Sequence, residues 1–281
     1  MSSISEKAFY KVSWAIEDFT WYFKRPFFKP VTPLTNSFSI GVTTFMDRFE
    51  TCLKPLLAKL SIVFADCQII IVANGHYRKQ EQTVYIAELE KYCSKFQNVK
   101  LVTFREPTGL SCLWNTIIRS SDSSSVLILN DDLRIKGRFR SFMSSSGICS
   151  RLIATVNRSW SHFMISKSVV NEVGWFDENF REIGGEDDDY LARLSMKGII
   201  PWDFKTGTMA RSGTKSRRNT GINSYGREIS GEAGGYSTLN AMYLSEKWDR
   251  ADEYFDGAVE VQGRKTRFWK LREQKEPGVS R

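Results

Sequence analysis

Alternating strand and helix signals predict an α/β fold with a mostly parallel central sheet flanked by helices, preceded by an aromatic, amphipathic helical extension. Two observations carry this expectation. Short β-rich runs at residues 37–44, 67–73, 99–104 and 126–129 are separated by segments with helical apolar spacing. The loops that follow, Asn74-Gly75, Thr108-Gly109 and Asn130-Asp131-Asp132, are polar and turn-forming. In a βαβ series with right-handed crossovers such loops gather at the carboxyl edge of the sheet, where these folds hold ligands.

Taken in order, the chain opens with an aromatic and basic stretch. Phe9, Tyr10, Trp14, Phe19, Trp21, Tyr22, Phe23, Phe27 and Phe28 alternate with Lys7, Lys11, Lys24, Arg25 and Lys29. That mixture suits a helix lying among lipid headgroups, and equally an amphipathic helix packed on the main domain. Pro26, Pro30 and Pro33 end the helix and place a boundary near Asn36. The first strand then leads to a helix over about 47–60, with Leu53, Leu56, Leu57 and Leu60 on one stripe. Further helices are expected over about 79–96 and 110–119, between the second, third and fourth strands. Later, Gly184-Gly185-Glu186-Asp187-Asp188-Asp189 opens the apolar-periodic segment 190–196. The resulting division is an extension (1–36), a ligand-binding half (37–136), a second half with the later acidic cluster (137–210), and a basic loop with the C-terminal region (211–281).

With 281 residues, 41% of them hydrophobic, the chain can bury a substantial core, which excludes disorder throughout. A net charge of +8 suits an anionic partner: nucleic acid, an anionic membrane surface or a phosphorylated small molecule. No nucleic-acid-binding motif is present and the aromatics lack the strand spacing of an RNA-binding sheet, so no nucleic-acid partner is expected. Cys52, Cys67, Cys93, Cys112 and Cys149 are odd in number and well separated, which points to thiols in a reducing compartment. No run approaches the ~20 apolar residues of a membrane span. The amino terminus lacks the basic-then-apolar pattern of a secretory signal. The expected setting is cytoplasmic, with a peripheral contact on the cytoplasmic face of a membrane.

Chemistry concentrates at two acidic clusters. A buried strand that delivers Asn130, Asp131 and Asp132 at its carboxyl end offers oxygen ligands for a divalent cation and a phosphate-bearing ligand. The plainer reading of the same residues is a strand-end turn with solvated acids. The cluster at 186–189 can supply a general base, since neighbouring carboxylates raise one another's pKa. The plainer reading there is a helix N-terminus that favours acids through its dipole.

The ordered set of motifs resembles family-2 glycosyltransferases, whose fold is the nucleotide-sugar-binding GT-A type. Residues 39–45 (SIGVTTF) and 70–75 (IIVANG) resemble that family's first two strands, and 108–115 (TGLSCLWN) its glycine-containing helix start. Residues 127–132 (LILNDD) stand where the family has its DxD motif. Residues 173–180 (VGWFDENF), then 185–193 (GEDDDYLAR), are similar to the family's GxFDExF and GEDxDLxxR elements, and 243–248 (YLSEKW) resembles its Lys-Trp element.

The resemblance implies roles residue by residue. Asp132 ligates a divalent metal, Mn²⁺ or Mg²⁺, with Asp131 ligating or supporting it; Asn130 stands in the place of an acid and contacts the ribose. Asp187 is the general base and Glu186 its neighbour in the catalytic cluster. Thr44 and Phe45 line the nucleotide pocket, Asn74 and Gly75 face the donor, Gly109 permits close backbone approach, and Asn115 hydrogen-bonds near the donor. Lys215, Arg217 and Arg218 fold over the diphosphate as a lid or remain a solvated loop. The family's metal-binding histidine near that loop has no counterpart, because the two histidines are His76 and His162. The segment from about 157 to 180, with Trp160 and Trp175, is expected to meet a carbohydrate acceptor. The implied activity is inverting transfer from a nucleotide-diphosphate sugar, UDP-linked, to a glycan or lipid-linked saccharide. The alternative is a non-catalytic sugar-nucleotide or glycan-binding module of the same fold. A sugar nucleotidyltransferase is disfavoured because no glycine-rich basic phosphate loop follows the first strand.

Overall fold

The structure is a computed structural model that describes residues 12–17, 19–21, 23, 38–181, 183–211, 238–248, 255–261 and 264–271. Its centre is a sheet of β1 (Ser39–Thr44), β2 (Ile69–Ala73), β3 (Val99–Thr103), β4 (Ser125–Asn130), β6 (Ile153–Val156), β7 (Ser159–Ser166) and β8 (Trp202–Phe204). Two smaller pairs accompany it: β5 (Leu133–Ile135) with β9 (Met209–Arg211), and β10 (Phe255–Val261) with β11 (Arg264–Leu271). The order in the 7-stranded sheet is β3-β2-β1-β4-β7-β6-β8. The β3-β2-β1-β4 part is parallel, and β7 joins β4 antiparallel. The expected mixed α/β architecture with a mostly parallel sheet is therefore present: β6 and β8 also pair parallel, and β7 is the one strand of this sheet that runs against its neighbours.

Strands covered on both faces read as continuous apolar runs, and β2 is buried along its whole length. Ile69 and Ile71 point to one face, where Leu53, Leu57 and Leu60 pack with Tyr85 and Leu89. The intervening Ile70 and Val72 point to the other, against Trp114, Ile117, Ile118, Tyr190 and Leu194. This period-2 division places α1 (Lys54–Val63) and α2 (Lys79–Cys93) on one side, and α3 (Leu110–Ser120) with α6 (Glu186–Met196) on the other. Short helices α4 (Phe139–Ser145) and α5 (Lys167–Val173) fill in between, and α7 (Thr238–Lys247) lies near the chain's end.

The helix expected over 47–60 is less regular than its leucine stripe suggests. It begins as a 3-10 turn, Met46–Arg48, passes through a π-helical turn, Phe49–Leu53, and becomes α1 only at Lys54. Pro55 has no N–H to donate, so regular α geometry starts beside it rather than upstream. β6 and β7 form a hairpin whose turn residues, Asn157 and Arg158, have φ of 54° and 58°. All five cysteines are thiols; burial pushes Cys67 up to about 12 and Cys93 and Cys149 to about 11.

The N-terminal extension is helical at residues 12–17 and 19–21 and docks on the domain. Trp14 is buried, with Arg134 and Lys136 over its ring at 5.1 and 4.7 Å. Glu17 accepts from the Gly137 N–H at 3.0 Å and from Lys59 Nζ at 3.3 Å, and Lys59 covers Trp21 at 4.5 Å. The proline-marked boundary near Asn36 lies outside the described residues.

Leu57 is fully buried between α1 and the sheet. Leu57→Ala is expected to cost about 2–5 kcal/mol through lost burial and the cavity left behind, read as a lowered urea midpoint at unchanged slope.

Candidate functional site

The strand-end residues of β1 and β4 meet as the topology requires, because these strands are parallel neighbours. The Thr44 hydroxyl donates to Asp131 Oδ2 at 2.7 Å, and Arg48 Nη2 lies 2.8 Å from Asp131 Oδ1 and 3.2 Å from Asp132 Oδ2. Asp131 is buried, and that burial pushes its carboxyl up to about 6 against the opposing effects of Arg48 and Thr44. Both Asp131 oxygens are thus engaged within the protein. Asp132 Oδ1, by contrast, is buried with no hydrogen-bond partner. A carboxylate oxygen withdrawn from water and left unmatched suits a cation, and Mn²⁺ or Mg²⁺ fits an oxygen donor of this kind. Among the described residues no group of three or more His, Cys, Asp or Glu gathers around it. Asp132 thus keeps one unmatched oxygen, whereas Asp131 is held by Thr44 and Arg48.

A cleft of about 70 Å³ opens here, lined by Thr43, Thr44, Phe45, Arg48, Asn74, Thr108, Leu110, Leu113, Asn130, Asp131 and Ile183. The expected pocket residues Thr44, Phe45, Asn74, Asn130 and Asp131 therefore share one cavity. Ile183 joins them from the loop that leads into the Glu186 cluster.

Other expected donor contacts do different work. The Asn74 side chain donates to Thr108 O at 2.9 Å and accepts from the N–H groups of Gly75 and Thr108 at 2.9 and 3.0 Å. It walls the cleft, but its polar atoms staple two loops together instead of reaching outward. A Cβ on Gly75 would stand 2.1 Å from the Glu106 backbone, and one on Gly109 2.0 Å from Phe180 O. At both glycines another chain segment occupies the place a Cβ would take. Asn115 is fully buried and exchanges hydrogen bonds with the Phe176 backbone, accepting its N–H at 3.1 Å and donating to its O at 2.8 Å. Its amide also donates to Glu178 Oε1 at 2.8 Å. Asn115 thus ties α3 to the segment 176–178 and is absent from the cleft lining.

The second cluster sorts into separate roles along the first turn of α6. Glu186 is buried, its Oε2 accepts from the Gly184 N–H at 2.6 Å, and burial with neighbouring Asp187 pushes its carboxyl up to about 8. Asp187 and Asp188 are half-buried. Asp189 is fully buried and is the most heavily bound acid of the set. Its Oδ2 accepts from Arg193 Nε and Nη2 at 3.0 and 2.8 Å, while its Oδ1 meets Lys247 Nζ at 2.8 Å and Trp248 Nε1 at 3.0 Å. Lys247 also reaches Asp177 Oδ2 at 2.5 Å, alongside the Tyr243 hydroxyl at 2.8 Å. Burial works to raise the Asp177 pKa, but Lys247, the Asn179 N–H and Tyr243 hold it down to about 2. The FDE and Lys-Trp elements are therefore two sides of one clasp around α6.

Lys215, Arg217 and Arg218 lie outside the described residues. Arg48 was not singled out by its sequence context, where it is one basic residue in an apolar-periodic segment; its position just after Thr44-Phe45 was the available signal. The clasp was visible only as separate motifs. Trp160 is partly buried and packs its ring against the core at Phe163, 5.1 Å away, whereas Trp175 is exposed beneath Arg119, 4.5 Å from the ring.

No family model matches the chain, and no curated protein matches it. Among solved structures it is similar to S. aureus TarS 1-349 in complex with UDP, at 13% identity and a TM-score of 0.47, covering 78% of this chain and 72% of that one. It is also similar to the mannosyltransferase PcManGT from Pyrobaculum calidifontis in complex with GDP-Man and Mn²⁺, at 12% identity and a TM-score of 0.49, covering 86% and 79%. At these values the likeness assigns neither activity nor ligand.

Asp189→Ala would leave Arg193 and Lys247 without their buried acceptor, and is expected to cost about 3–5 kcal/mol in chemical denaturation. Glu186 titrates at about 8 in the folded chain, above its ordinary 4.5. The folded state then holds the proton more tightly, so its contribution to stability is full below about 4.5 and is lost as pH rises through about 8. Glu186→Gln is expected to flatten that part of the stability–pH profile, measured by urea titration at successive pH values.

Proposed function

We propose that the chain is a glycosyltransferase of GT-A type that moves a sugar, with inversion, from a UDP-linked donor to a carbohydrate or lipid-linked saccharide acceptor. The single observation that carries this reading is the cleft in which the strand-end residues Thr44, Asn130 and Asp131 meet Ile183, two residues before the acidic turn begins with Gly185-Glu186. One cavity edge then borders both a donor-binding and a base-bearing element. The cleft, about 70 Å³, is smaller than the ~300–1,000 Å³ usual for small-molecule sites, so a whole donor enters only as the walls part.

In this reading a divalent metal, Mn²⁺ or Mg²⁺, is held by Asp132 with Asp131 beside it, and when bound supplies charge compensation to the departing diphosphate. The chain's own groups do the rest. Thr44 and Arg48 fix Asp131 so that the strand end keeps its shape, Phe45 and Asn130 border the nucleoside, and Asn74 walls the pocket. Asp187 accepts the proton of the acceptor hydroxyl as that oxygen attacks the anomeric carbon from the face opposite the leaving nucleotide. Burial and the neighbouring Asp187 push the Glu186 carboxyl up to about 8, which favours its neutral form beside Asp187. Lys215, Arg217 and Arg218 are assigned to the diphosphate on their sequence alone. The proposed setting is the cytoplasmic face of a membrane in glycan synthesis.

With nucleotide sugars, Mn²⁺ and a panel of glycan acceptors, wild-type chain is expected to release nucleotide and give a product of inverted anomeric configuration by NMR. Asp187→Asn is expected to lower turnover by about 10²–10⁴-fold while melting as wild type. Retained configuration, or full activity in Asp187→Asn, contradicts the mechanism. Donor binding without turnover by wild type identifies a sugar-nucleotide-binding module instead.

A further inference from the structure

The N-terminal helical segment has two unlike faces. Ser13, Trp14, Glu17 and Trp21 are turned to the domain, where Lys136 Nζ donates to Ser13 Oγ at 2.8 Å in addition to the Trp14, Glu17 and Trp21 contacts already described. Val12, Ile16, Phe19 and Phe23 are 55%, 57%, 69% and 60% exposed. At about 100° per residue these positions span only about 60° of helix surface, opposite Trp14 and Trp21. Water therefore faces a continuous apolar stripe that includes two phenylalanines, whose rings meet edge to face at 5.2 Å. Scattered exposed apolar residues need no explanation, but a stripe in register along a docked helix does.

Charge selects the occupant. The sequence places Lys7 and Lys11 before the stripe and Lys24, Arg25 and Lys29 after it, five basic residues against the three acids Glu6, Glu17 and Asp18, which leaves the segment net positive. Glu17, the one carboxylate among the described residues of this segment, is turned inward and matched by Lys59. A second copy of this helix would bring like charges together, whereas anionic lipid headgroups complement them while the apolar side chains enter the acyl boundary. No helix among the described residues is long and apolar enough to cross a membrane, so the geometry is that of a helix lying on the surface.

We propose that Val12, Ile16, Phe19 and Phe23 form a docking face for an anionic lipid surface, with the Trp14 face anchoring the domain to it. The helix docks on Lys136 and Gly137, just beyond β5, which itself leaves Asp131 and Asp132. The lipid plane is thereby tied through the chain to the candidate site. The docking face stands independently of the transferase reading, since it requires no property of the cleft.

The test is co-sedimentation of the full chain with phosphatidylcholine vesicles, with and without phosphatidylglycerol, at low and high salt. Wild type is expected to partition onto the anionic vesicles and to weaken with salt. Replacing the four residues together (V12S/I16S/F19S/F23S) is expected to reduce partitioning by about tenfold or more at an unchanged melting temperature, because every changed side chain is exposed. Equal partitioning of variant and wild type, or no binding of wild type to anionic vesicles, overturns the proposal. So does a concentration-dependent dimer of wild type, seen by light scattering, that the variant loses, because the stripe would then be covered by a second copy.

Discussion

The position of α6 depends on one buried carboxylate. Asp189 has no exposure, yet accepts from Arg193 on its own helix and from Lys247 and Trp248 at the end of α7. Burying that charge is costly unless every lone pair finds a donor, and here both oxygens are matched. Lys247 then bridges to Asp177, and Tyr243 adds a second donor there. Phe180 packs edge to face on Tyr243 at 4.9 Å, while Phe176 stacks on Tyr190 at 4.0 Å. Segment 176–180, α6 and α7 are thus held as one unit, and the first turn that presents Asp187 is fixed by groups that need not react.

The opposite side of the site obeys the same physics at smaller scale. Asp131 lies just past the end of β4 and is buried, and Thr44 at the end of the neighbouring β1 and Arg48 in the turn that follows it satisfy it. Such an arrangement makes the strand end rigid while it leaves a single oxygen of Asp132 unmatched. Asn74 stiffens the adjoining loop by bonding across to Thr108, and Asn115 links the helix after that loop to Phe176. The two acidic clusters, distant in sequence, are therefore linked through the hydrogen bonds of Asn74 and Asn115 and the helix α3 that runs between them, and Ile183 brings the second to the cleft of the first.

Much of this was legible in the amino-acid sequence. The parallel strands were placed to within two residues because runs such as Ile69–Ala73 are apolar along their whole length. The gathering of Asn74, Thr108, Asn130 and Asp131 followed from the alternating strand and helix order, whereas Thr44 and Phe45 were placed beside them by the family resemblance. What the residues could not disclose was which polar atom meets which. Asn74 and Asn115 stand at positions that suggest ligand contact, but their amides are consumed by backbone groups brought near by folding. Arg48 was hidden for the converse reason: a lone arginine in a leucine-rich helix reads as solvated until Asp131 and Asp132 are placed beside it. The aromatic extension left two readings open, and its packed face is settled by Trp14 and Glu17, residues whose partners lie on β5, just beyond it and on α1.

The donor half is the part of the account on which the rest of the chemistry stands, and thermal unfolding of wild-type chain reads it directly. UDP-, GDP-, CMP- and dTDP-sugars would each be added with Mn²⁺ and again with EDTA, since a ligand that binds only the folded state raises its stability. The account predicts a rise in melting temperature with UDP-sugars that needs the metal and disappears in Asp132→Asn. No rise with any nucleotide sugar, or a rise untouched by EDTA and by Asp132→Asn, would contradict it.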